Sequence, residues 1–137
     1  MTLKDIAIRG VETAGPDATI ETLAYTMAEK GVGSVVITDE NRVVGIVTDR
    51  DVALTLAGDD DPGALRAVDV MAPEPLTMPP SAGVFELTER MAEADVRRIP
   101  VVDDNGVIVG IVTLDDVVRL LSAELTNLAD VIEAESP

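Results

Sequence analysis

Apolar residues recur along the chain in two alternating periods. Ile20, Leu23, Ala24 and Met27 fall three or four apart, and Val84, Leu87 and Met91 do likewise. Each set predicts an amphipathic helix with one buried face. Gly31 punctuates the end of the first. Two β-branched runs follow each helix, residues 34–38 and 42–48, then 98–102 and 107–113. Turn formers (Asp39-Glu40-Asn41 and Asp104-Asn105-Gly106) predict that each pair is a hairpin. The runs are apolar almost without interruption, which implies strands covered on both faces. A short extended piece precedes each helix, at 11–14 and 76–78, with Pro16 or Pro80 marking the turn between. A second helix closes each set, over about 49–57 and from about Leu114 onward. Beyond it Leu121, Leu125, Leu128 and Ile132 continue a helical stripe, expected to pack on the domain or on a second chain. Residues 133–137 are expected to fray.

The two sets are copies of one unit. Gly45-Ile46-Val47-Thr48-Asp49-Arg50-Asp51-Val52 lies over Gly110-Ile111-Val112-Thr113-Leu114-Asp115-Asp116-Val117 with six of eight positions identical. Met27-Ala28-Glu29 falls on Met91-Ala92-Glu93, Thr13 on Thr77, Asp39 on Asp103, and Asp5-Ile6 on Asp69-Val70. The chain therefore divides into a first repeat (1–60), a linker (61–69), a second repeat (70–125) and a C-terminal helix and tail (126–137). Each half alone would expose one face of its sheet, so the copies are expected to pack on each other in one α/β domain.

Composition narrows the chemistry. The 137 residues contain no cysteine and no histidine, which excludes disulfides, thiol redox chemistry, the usual zinc sites and any Cys–His or Ser–His nucleophile. A hard cation held by carboxylates and carbonyls stays open. The 26 acidic against 10 basic residues give a net charge of −16, which makes nucleic acid and anionic membrane poor partners. This balance resembles that of cytoplasmic proteins from salt-accumulating halophiles, with an ordinary acidic protein as the alternative. No apolar run is long enough for a membrane span and the first residues lack a signal-peptide pattern, so the expectation is a soluble cytoplasmic protein.

The repeated Gly-Ile-Val-Thr-x-x-Asp unit stands where a strand gives way to a helix. Unpaired amides and the positive dipole end at a helix start suit phosphate, and an Asp one turn in offers two acceptors to a ribose diol. Thr48 with Asp51, and Thr113 with Asp116, thus make a plausible cradle for a nucleoside phosphate. The same spacing is a capping box, in which Thr caps the helix and Asp reaches back to the Thr amide. Both readings remain open on these residues alone, since duplication copies caps as faithfully as sites.

The whole pattern resembles the tandem cystathionine β-synthase (CBS) domain pair, or Bateman module, over about residues 3–123. It rests on the repeated motif, on Val96-Arg97-Arg98-Ile99-Pro100-Val101-Val102-Asp103, on Asp69-Val70-Met71 and on the two-copy spacing. The resemblance implies two β-α-β-β-α repeats in a pseudo-twofold pair. Their clefts would bind an adenosyl ligand such as AMP, ADP, ATP, S-adenosylmethionine or NAD. It puts Thr48 and Asp51 at one cleft and Thr113 and Asp116 at the other, on phosphate and ribose. It lays adenine against Glu12, Thr13 and Ala14 with Gly33, Ser34 and Val35, and against Leu76, Thr77 and Met78 with Arg98, Ile99 and Pro100. It also implies a homodimer built through helices, and a client enzyme or transporter that receives the signal.

A phosphate entering so acidic a protein needs local cations, and Arg50, Arg97, Arg98 and Arg119 are the candidates. AMP, of low charge, is the expected regulatory ligand, with no cofactor required. The Asp59-Asp60-Asp61 run reads as solvated linker, and Tyr25 and Phe85 as packing residues. Two other classes compete with a non-catalytic sensor: a structural subunit whose clefts are filled by side chains, and a small nucleotide-processing enzyme with a carboxylate-held metal.

Overall fold

A computed structural model describes residues 1–58 and 60–136. Asp59 of the acidic run and Pro137 of the tail lie outside the described residues. In chain order the elements are α1 (Leu3–Ile6), β1 (Thr13–Ala14), α2 (Ile20–Lys30), β2 (Ser34–Asp39), β3 (Arg42–Thr48) and α3 (Asp49–Leu54). Short 3-10 turns at Thr55–Ala57 and Pro62–Ala64 lead to α4 (Ala67–Val70), β4 (Ala72–Pro73), α5 (Val84–Ala94), β5 (Arg98–Val102), β6 (Ile108–Thr113) and α6 (Leu114–Glu135). The fold is α/β, with two like repeats related by a pseudo-twofold.

Local chemistry explains the boundaries. The Thr19 hydroxyl accepts from the Thr22 amide at 3.2 Å and caps α2. Gly31 ends α2 at φ 64°, and Asp95 takes the corresponding left-handed position after α5 at φ 54°. The first hairpin turns on Glu40 and Asn41, both at positive φ, as a two-residue loop between right-twisted strands requires. Repeat correspondence extends to irregularities: β2–β3 shifts register between Ile37 and Thr38, and β5–β6 between Val101 and Val102.

The repeats exchange their leading segments. β1 runs parallel to β2, and β4, at the start of the second repeat, pairs antiparallel with β3 of the first. In mirror fashion Ile8, near the start of the first repeat, bridges Ile111 of β6 through backbone bonds of 2.9 and 3.1 Å. Packing follows the same exchange. Leu3 is fully buried among Met78, Leu87, Met91, Ile99, Val101, Val112 and Val117 of the second repeat, while Ala67 is buried among Ile20, Leu23, Met27, Val35, Ile37 and Val47 of the first. A third cluster, Val36, Ile46 and Ile111, joins the two halves. The motif glycines sit where the exchanged segments cross. A Cβ on Gly45 would coincide with Met71 Sδ, and one on Gly110 would stand 3.0 Å from the Ala7 Cβ and 3.2 Å from the Ile8 carbonyl oxygen.

Two expectations need correction, and a third keeps only its second-chain alternative. Tyr25 and Phe85 do not pack: they are 68% and 85% exposed. Each lies two positions from a buried leucine (Leu23, Leu87), which turns it to the opposite side of its helix. Leu121, Leu125, Leu128 and Ile132 do not pack on the domain either, because α6 leaves the body after Val117 and Leu120. Residues 133–135 are helical, since α6 continues to Glu135.

Candidate functional site

The end of each hairpin delivers a motif threonine beside the start of its own second strand partner. Thr48 pairs with Ser34, and Thr113 with Arg98. The chain then turns at once into helix, fixed by Asp49 N–H donating to the Gly33 carbonyl at 3.0 Å and Leu114 N–H to the Arg97 carbonyl at 2.8 Å. Both capping boxes are formed. The Asp51 amide donates to Thr48 Oγ1 at 3.2 Å, and Asp51 Oδ2 accepts from the Thr48 amide at 2.9 Å. In the second repeat the distances are 3.3 and 2.9 Å, and the Thr113 hydroxyl also donates to Asp116 Oδ2 at 2.8 Å. Asp116 Oδ1 lies 3.8 Å from an Arg119 nitrogen, and its side chain is 14% exposed.

The pseudo-twofold brings the two junctions to one cavity. It has a volume of about 310 Å³ and is lined by Thr48, Asp49, Arg50, Arg97, Arg98, Thr113, Leu114 and Asp115. That is at the lower end of the ~300–1,000 Å³ typical of small-ligand pockets. Five sequence-predicted residues therefore meet here: both threonines and Arg50, Arg97 and Arg98. Three guanidiniums face two carboxylates, a local positive excess in a chain of net charge −16. Arg98 belongs to the second repeat but crosses to the first, where a Cβ on Gly33 would stand 2.9 Å from its Nη2 and 3.4 Å from a carboxylate oxygen of Asp49. A cation of the second repeat thus stands beside the first.

Other predicted residues lie apart from this cavity. Asp51 lines a separate hollow of about 380 Å³ with Leu54, Thr55, Gly58, Leu65, Asp69 and Val70. Glu12, Thr13 and Ala14 run beside β2, with the Glu12 carbonyl accepting from the Val36 amide at 3.0 Å. Gly33 and Ser34 are half-buried next to the cavity wall, and Leu76 and Thr77 are half-buried before α5. Val35, Met78, Ile99 and Pro100 have buried side chains, the first three within the two repeat cores. Arg119 sits outside the cavity beside Asp116, 79% exposed.

Sequence reading missed Asp49, Leu114 and Asp115 as lining residues. The available signal was position: they fill the variable places right after each motif threonine, and the two repeats differ there in charge. A larger cavity of about 550 Å³, lined by Lys4, Ala7, Arg9, Pro80, Val101 and Val109, contains no predicted site residue. Among the described residues no group of three or more carboxylates converges as a metal site, and no helix is long and apolar enough to cross a membrane.

Comparison with known proteins places both repeats in one family. Residues 3–58 and 67–123 each match the CBS domain family. The chain is 36% identical over 118 residues to the uncharacterized protein MK0525 of Methanopyrus kandleri, spanning 85% of this chain but 60% of that protein. It is 32% identical over 133 residues to the CBS domain-containing protein YhcV of Bacillus subtilis, with 93% and 94% of the two chains covered. Among solved structures, the CBS domain pair of protein MJ0100 in complex with 5′-methylthioadenosine and S-adenosyl-L-methionine superposes with a TM-score of 0.83 at 27% identity, over 90% of this chain and 98% of that one. CBSX2 in complex with AMP gives 0.78 at 25% identity, over 89% and 96%.

Proposed function

Because this chain belongs to the CBS domain family as a tandem pair, we propose that it is a non-catalytic regulatory module that binds an adenosyl nucleotide between its repeats. Its occupancy would pass to a homodimer partner and to a client protein. One observation carries the reading: the arginine-lined cavity that gathers both motif threonines. Anionic phosphate is repelled by the rest of this acidic surface, and Arg50, Arg97 and Arg98 concentrate cations where the phosphate would enter. Three cations offset by Asp49 and Asp115 suit a monophosphate better than a triphosphate, which favours AMP over ATP. Each capping box engages Oδ2 of its aspartate; Asp51 lines the separate hollow and Asp116 Oδ1 lies beside Arg119, so a ribose contact to either would require the sugar to extend beyond the arginine cavity. The ligands in the MJ0100 and CBSX2 structures support the adenosyl class.

The closed capping boxes favour one rival, a structural module with no nucleotide. Thermal melting separates the two. A ligand at ~100 times its Kd adds about 2.7 kcal/mol to stability, roughly 10 °C for a chain of this size. The screen takes adenosine, AMP, ADP, ATP, S-adenosylmethionine and NAD against the native chain, Asp51→Ala and Asp116→Ala. The reading expects a shift with at least one adenosyl ligand, AMP foremost, reduced in one or both variants. Flat melting curves with every compound favour the structural module. Ligand shifts that survive both substitutions assign the two aspartates to capping alone.

A further inference from the structure

The outer part of α6 carries an apolar seam that the chain itself leaves uncovered. Val118, Leu121, Leu125, Leu128 and Ile132 are 51, 49, 66, 62 and 70% exposed. They recur at intervals of three, four, three and four, a heptad period of 3.5 rather than the 3.6 of a helix lying on its own domain. The CBS match ends at residue 123 while the helix runs to Glu135, so much of the seam lies beyond the second repeat.

With Val118 as position a, the a residues are Val118, Leu125 and Ile132, and the d residues are Leu121 and Leu128. Two of the three a residues, Val118 and Ile132, are β-branched and both d residues are leucine, the pattern that favours two strands in a parallel coil. The flanks agree. A parallel pair sets each g residue opposite the e residue five places on, so Glu124 meets Ala129 of the second copy and Val131 meets Ser136, while Val117 stays buried in its own repeat core. No like charges oppose each other across these flanks. Asp130 and Glu133 fall at the outward f and b positions, and Glu135 takes the next d position and ends the seam. No lysine or arginine follows Arg119, and the flanks carry a single carboxylate, Glu124. The segment therefore repels an acidic peptide, and beside the seam only Glu124 is placed to hold a basic one.

We propose that two copies of this chain pair in parallel through α6, as a short two-stranded coiled coil from Val118 to Ile132. This deepens the homodimer reading above by naming its surface and orientation. Leu114 holds the preceding d position and also lines the arginine cavity, so the seam begins one helical turn from the proposed nucleotide site.

The test is light-scattering mass of the full chain at micromolar concentration in about 1 M salt, where the Debye length falls to ~3 Å and acidic surfaces no longer repel. The native chain should give twice its 14.4 kDa mass. Leu125→Asp combined with Leu128→Asp should give the single-chain mass with an intact cooperative melt, since both side chains are exposed in one copy. Asp130→Ala should leave the double mass unchanged. Orientation is read from Ile132→Cys, which introduces the chain's sole thiol. A parallel seam brings two such thiols together and oxidation yields a covalent dimer. An antiparallel seam would set residue 132 against residue 114 and hold the thiols about 27 Å apart (18 residues at 1.5 Å each). A monomeric native chain, a dimer that survives the double substitution, or absence of the cross-link overturns the proposal. Nucleotide melting shifts, followed in the same samples, report on the sensor reading separately, so either can fail while the other stands.

Discussion

Replacing Leu3 with alanine should loosen the far repeat rather than the one that follows it in sequence. Leu3 is 0% exposed and packs within the second-repeat core against residues as distant as Val117. Its amide donates to the Ala82 carbonyl at 3.0 Å, and Ile8 just downstream shares two backbone bonds with Ile111. Truncating a fully buried leucine costs about 2–5 kcal/mol, from lost transfer free energy and the cavity left behind. A value near 3 is expected here, because α1 is a single turn at the protein edge and can settle partly into the gap. With an unfolding entropy of ~2.1 cal/mol/K per residue, a chain of 137 residues should lose about 10 °C in Tm. Hydrogen exchange supplies the decisive pattern. Faster exchange is expected in α5 and β6, with β2 and the paired half of β3 close to native. Loss of protection confined to residues 13–48, or a destabilisation under about 1 kcal/mol, would refute the exchange of leading segments.

Other consequences can be checked in parallel. Gly45→Val should cost about 1–3 kcal/mol by driving Met71 from its place, whereas Gly15→Ala, with nothing within 4 Å of the added methyl, should be close to neutral in a denaturant melt. Arg98→Ala should weaken AMP by calorimetry far more than uncharged adenosine; equal losses would mean the guanidinium does not serve the phosphate. Asp116→Ala removes the acceptor for both the Thr113 amide and hydroxyl, and should lower stability by about 1 kcal/mol in the absence of ligand. At the N-terminus, the Thr2 amide donates to Asp5 and holds its carboxyl below the ordinary carboxylate value. A lowered folded pKa stabilises above the unfolded value and is lost as pH falls through the folded one. The Tm difference between the native chain and Asp5→Asn should therefore be present at pH 7 and shrink in acid.

What the sequence determined was everything that depends on neighbours in the chain. Ile20, Leu23 and Met27 at helical spacing, Gly31 past the helix end, the β-branched hairpins and the Thr-x-x-Asp caps are short-range patterns, and the duplication displayed all but the glycine twice. The tertiary structure decided where those pieces meet. Leu3 and Ala67 bury in the opposite repeat because segments distant in the chain join each hairpin, Ile8 at Ile111 and Pro73 at Gly45, pairings that no local periodicity records. Thr48 and Thr113 share one cavity, and Arg98 reaches across to Gly33, because a pseudo-twofold superposes the two strand ends. Tyr25 and Phe85 face outward because their helices already bury a full apolar stripe on the other side. Side-chain periodicity fixes which face of an element is apolar, whereas the element it covers is selected by packing among all of them at once.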